Sequence, residues 1–98
     1  MQLLDTAVRA AAGAGLHVII DPAFSAPLWA TTDTAAPRSA PDPWYNANID
    51  VRQAAAWEQM LARRYGGAFT PAGEHTSLPR VETFTLWNEP NERSFLEP

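Results

Sequence analysis

The residues best placed to do chemistry together lie near the carboxyl end of the chain, where Asn88, Glu89 and Pro90 follow the run Val81-Glu82-Thr83-Phe84-Thr85-Leu86-Trp87. An alternating, aromatic and β-branched run reads as a strand, and proline stops it from continuing. A carboxylate at a strand's carboxyl end, beside a neutral amide donor, has the form of a general acid/base for glycoside chemistry. If the strand belongs to a β/α barrel, that end faces the active site. Glu92, three residues on, reads as a solvated charge or one favourable to a helix N-terminus. Glu58 and Glu97 read as structural.

Other candidates are spread along the chain. Asp21 closes a second apolar run, Leu16-His17-Val18-Ile19-Ile20, and reads either as a substrate contact or as the start of an Asp-Pro turn. Trp29 and Trp44 lie in a long loop, where an indole can stack on a sugar ring or pin the loop to its scaffold. Trp87 belongs to the pocket floor or the core, and Trp57, on an apolar helix stripe, to the core. His17 sits in a strand that reads as buried, and His75 has no partner at ligand spacing, so no metal is expected.

The elements that must position these groups follow from periodicity. Leu4, Ala7, Val8 and Ala11 share one helical face, with Asp5 and Arg9 four residues apart on another. Gly13 and Gly15 end that helix. The run Leu16 to Ile20 is nearly continuous in apolar residues, as a strand covered on both faces is. From Pro22 to Asn48 a proline-rich segment retains Phe24, Trp29, Trp44 and Tyr45, and a loop this long and aromatic reads as functional. Asp50, with Gln53 three residues on, reads as the N-cap of a second helix, whose apolar face is Val51, Ala54, Trp57, Leu61 and Tyr65. Gly66-Gly67 close it, and a shorter loop leads to the strand Val81 to Trp87. The order is helix, strand, long loop, helix, loop, strand, which predicts an α/β fold of about two βα units with parallel strands.

Composition narrows the function classes. The 98 residues carry a net charge of −4, with seven arginines, no lysine and no cysteine. The arginines are scattered without a basic stripe, which argues against a nucleic-acid partner. No apolar run is long enough to span a bilayer, and the start does not resemble a signal peptide. The chain opens within a helix and stops just after the Asn-Glu-Pro motif, and these features predict a fragment. Two strands and two helices leave apolar surface uncovered, so the isolated chain is expected to be marginally stable or to aggregate.

At Asn88-Glu89-Pro90 the chain resembles the clan-A glycoside hydrolases, retaining (β/α)8-barrel enzymes that include family 5 cellulases and family 39 xylosidases. Arg64-Tyr65-Gly66, Leu78-Pro79-Arg80-Val81 and Trp87-Asn88-Glu89-Pro90-Asn91 through Phe95-Leu96-Glu97-Pro98 carry the likeness, as do Gly15 to Ile20 and Pro27-Leu28-Trp29-Ala30. The resemblance covers most of the chain but only about a quarter of such a barrel. It implies that residues 1–98 are one fragment of a (β/α)8 TIM barrel, spanning its third and fourth strands. It further implies that Glu89 is the acid/base, that Asn88 binds the sugar 2-hydroxyl, and that no cofactor takes part. The implied partners are a carbohydrate substrate and the remainder of the barrel, with no nucleic acid and no membrane. The family's nucleophile, a glutamate on the seventh strand, has no counterpart here, so the isolated chain is expected to be inactive. Two alternatives stand beside this reading. One is a non-catalytic, carbohydrate-binding or structural relative of the barrel. The other is an unrelated flavodoxin-like module, disfavoured because no glycine-rich phosphate loop follows Ile20.

Overall fold

A computed structural model describes residues 1–22, 26–32, 44–45 and 48–91, with the side chains of Leu28, Trp44 and Tyr45 outside the described residues. The element order is α1 (Gln2–Gly13), β1 (Ile19–Ile20), β2 (Ala26–Pro27), a 3-10 turn (Leu28–Ala30), β3 (Trp44–Tyr45), α2 (Val51–Arg64) and β4 (Thr83–Phe84). It is a mixed α/β chain with two helices and a small parallel sheet, in which Ile19 pairs with Thr83 and Ile20 with Phe84. The chain divides into two compact units. One comprises Met1–Ile20 with Gln59–Thr85, and the other Asp21–Glu58 with Leu86–Pro98.

The first unit holds the apolar core. Val8, Ile20, Leu61, Tyr65, Leu78 and Val81 are buried together, with Leu4, Val18, Met60 and Phe84 packed against them. Helix α1 ends as its glycines predict. Leu16 N–H bonds the Ala11 carbonyl at 3.0 Å and Gly15 N–H the Ala12 carbonyl at 3.0 Å, around Gly15 at φ 73°. This 6→1 closure satisfies carbonyls that the helix end leaves free. After α2 the chain turns at Gly67, whose φ of 89° favours glycine. A Cβ there would also lie 3.0 Å from that of Arg80. Backbone bonds then lead toward β4: Leu78 N–H to the Phe69 carbonyl and Val81 N–H to that of Tyr65, both at 2.8 Å.

Polar groups tie the same unit together. Asp5 is buried, contrary to its expected place on a face shared with Arg9. Its carboxylate accepts bonds from Arg64 Nε at 2.8 Å, Arg64 Nη2 at 2.5 Å and the Tyr65 hydroxyl at 2.8 Å. Arg9 instead reaches Glu74 and the carbonyls of Thr76 and Ser77. The guanidinium of Arg64 also lies 4.6 Å from the centre of the Phe69 ring. A helical spacing of four permits an Asp–Arg pair, but Arg9 is engaged with Glu74, Thr76 and Ser77, and Arg64 meets the buried carboxylate through two nitrogens.

The strands are shorter than their apolar runs predict, and β1 is not covered on both faces. Ile20 is buried while Ile19 is 62% exposed, and Leu16 and His17 are exposed as well. Successive strand side chains point to opposite faces, and the core packs against only one of them.

In the second unit the long loop carries structure of its own. Ala26 pairs with Tyr45 and Pro27 with Trp44 in an antiparallel ribbon, and Thr31 bridges to Ile49. Thr32 N–H bonds the Asn48 carbonyl, and Asp50 N–H that of Ala30, each at 2.8 Å. The predicted cap is present, with Asp50 Oδ1 accepting the Arg52 N–H at 2.9 Å. Among the described residues, no helix is long and apolar enough to cross a membrane.

Candidate functional site

The parallel register of β1 and β4 sends the chain out of both strands at the same end of the sheet. Asp21 leaves β1 there directly, and Leu86-Trp87-Asn88-Glu89 follows β4. Of this second segment, Trp87 and Asn88 are half-buried while Leu86 and Glu89 are exposed. Glu89 has φ 44°, in the left-handed region. The following Pro90 crowds the right-handed helical region for the residue before it. Non-glycine residues held at positive φ are uncommon, and they gather at ligand and active sites. Glu89 is thus presented to solvent from a constrained turn.

An acid/base on a glycosidase must hold a proton near neutral pH, which requires either burial or a neighbouring like charge. Burial is not what the described residues provide at Glu89, which is exposed. The described residues place two carboxylates in electrostatic contact elsewhere. Glu58, half-buried on α2, has its pKa raised, first by burial and second by the negative charge of Asp21.

Glu58 belongs to a cavity of about 690 Å³ within the second unit. Its walls include Trp29 from the 3-10 turn, Trp57 and Glu58 from α2, and Trp87 after β4. Three of the chain's four tryptophans therefore meet around one space. Trp57 is 48% exposed, which corrects its assignment to the core. The stripe it shares with Ala54 and Leu61 changes character along the helix. Leu61 is buried in the first unit's core, while Ala54 and Trp57 line the cavity of the second.

The sequence-predicted residues are thus only partly brought together. Trp29 and Trp87 line the cavity, and Asp21 acts on it through Glu58. Asn88 and Glu89 are not among its lining residues. The side chain of Trp44 lies outside the described residues, although its backbone forms β3. Sequence reasoning missed Gln53 and Glu58 as wall residues. The available signal was their spacing, since Gln53 and Trp57, like Ala54 and Glu58, stand four apart and share a helical face. Among the described residues, no group of three or more His, Cys, Asp or Glu is placed to hold a metal ion. No protein-family model matches the chain, and neither a curated protein nor a solved structure matches it.

Proposed function

We propose that this chain is the third-to-fourth-strand portion of a (β/α)8-barrel retaining glycoside hydrolase, with Glu89 as its general acid/base. The observation that carries the reading is the parallel pairing of β1 with β4, which sends Asp21 and the Asn88-Glu89 segment out from the same end of the sheet. In barrels of this kind, catalytic groups occupy the carboxyl ends of parallel strands. The left-handed turn at Glu89 and the exposed Leu3, Leu16 and Ile19 also fit a piece of a larger α/β layer.

In the first step Glu89 donates its proton to the glycosidic oxygen as that oxygen's bond to the anomeric carbon breaks. A carboxylate nucleophile, supplied from outside these 98 residues, bonds to the same carbon. In the second step Glu89, now a carboxylate, takes a proton from water as the water oxygen displaces the nucleophile, and the proton is back on Glu89 at the end. In a retaining site that nucleophile stands roughly 5 Å from the acid/base. Asn88 would hold the sugar 2-hydroxyl, a contact that tightens in the oxocarbenium-like transition state.

The test is made in the barrel that contains this segment. Glu89→Ala should depress turnover of substrates with poor leaving groups far more than that of activated aryl glycosides, which depart without a proton. Equal losses on both would remove Glu89 from the acid/base role.

A further inference from the structure

We propose that the cavity of the second unit is a binding site for an organic cation with a bulky apolar body, of the alkyl- or arylammonium class. Its volume of about 690 Å³ lies within the range typical of small-molecule sites. Trp29, Trp57 and Trp87 supply aromatic surface, and Pro22, Pro27 and Ile49 shape the remainder. Among the described lining residues Glu58 is the one charged side chain. Asp21 adds a second negative charge that acts on Glu58.

Three ligand classes can be weighed against that lining. A sugar carries hydroxyls around its whole edge, yet among the described lining residues Gln53 and Glu58 are the only hydrogen-bonding side chains besides the indole N–H groups. Against these described groups most hydroxyls would be desolvated without partners, which is costly. A neutral hydrocarbon would press against the Glu58 carboxylate and leave that charge unpaired. A cation meets both features, since the carboxylate neutralises it and indole faces attract it through their quadrupoles. Glu89 does not line this space, so the inference stands apart from the glycosidase reading.

The experiment titrates the full 98-residue chain with benzyltrimethylammonium and, separately, with its uncharged carbon isostere neopentylbenzene. Tryptophan fluorescence and calorimetry give the affinities. The cation should bind about tenfold or more tightly than the isostere, a ratio in keeping with cation–π attraction in a partly desolvated site. Glu58→Gln should lower the ratio several-fold, leaving only the share that the indole faces supply, and an unchanged ratio would overturn the role of Glu58. Equal or tighter binding of the isostere, no saturable binding of the cation, or tighter binding of cellobiose would each overturn the proposal. Should Glu58→Gln fail to fold by circular dichroism, the salt dependence of the wild-type ratio decides. A preference that shrinks as sodium chloride rises supports the proposal, and one indifferent to salt overturns it.

Discussion

Arg64, in the last turn of α2, donates two hydrogen bonds to Asp5, in the first turn of α1, across 59 residues of sequence. Both side chains are largely withdrawn from water, and the Tyr65 hydroxyl completes the set. The bond from Arg64 is the main reason the Asp5 carboxyl is held well below its ordinary value, at about 2. Burial opposes this, and the tyrosine bond adds to it.

The pH dependence follows with a definite sign. A carboxyl whose pKa is lower in the folded state contributes stability above its unfolded value of 3.8, and loses it as pH falls toward about 2. The contribution is on the order of 2 kcal/mol at neutral pH. Asp5→Asn should therefore lower the urea midpoint at pH 7, and the gap from wild type should narrow progressively between pH 4 and pH 2. A gap independent of pH would exclude the ion pair as its cause.

Tyr65 provides a second spectroscopic handle. Burial, and then its bond to the Asp5 carboxylate, push the phenol up to about 12. Stability from this group is fully present below the ordinary phenol value near 10 and is lost as pH rises through about 12. Of the two tyrosines, one should ionise near 12 in an alkaline absorbance titration of the folded chain. In Tyr65→Phe that late step should vanish, with a loss of about 1–3 kcal/mol for the unsatisfied partner. A late step that survives the substitution belongs to another group.

Two glycines distinguish backbone strain from crowding. Gly15 and Gly67 both have positive φ, but a Cβ on Gly15 would meet open space while one on Gly67 would press on Arg80. Gly15→Ala should cost about 1–2 kcal/mol from the left-handed conformation alone. Gly67→Ala should cost more, because Arg80 must also shift. Chemical denaturation of both variants gives the order, and equal costs would show that Arg80 yields freely.

The turn at Glu89 can be read through stability as well as turnover. A residue at φ 44° is strained unless it is glycine or a short polar residue such as asparagine. Glu89→Gly should be at least as stable as the parent, whereas Glu89→Val should be less stable by about 1 kcal/mol or more. The reverse order in thermal unfolding would exclude the left-handed turn.

Local patterns in the sequence determined the two helices, the glycine stop after α1, the Asp50 cap and the parallel character of the two strands. The helices, the stop and the cap depend on neighbours within about one helical turn, and the parallel strands follow from the alternating order of strands and helices, all of which a single chain displays directly. Tertiary structure decided the rest. Asp5 could have paired with Arg9 one turn away, yet packing delivered Arg64, because partner choice depends on which helix faces meet. Trp57 and Leu61 lie on one apolar stripe, yet one lines a cavity and the other fills a core, since periodicity identifies a face without saying what covers it. Ile19 and Ile20 are identical in type and opposite in burial for the same reason. The Asn88-Glu89 motif stood out as a candidate from its residue types and its place after a strand. Its left-handed turn and its separation from the tryptophan-lined space emerged only once the chain was folded, because both depend on where the backbone is forced to bend.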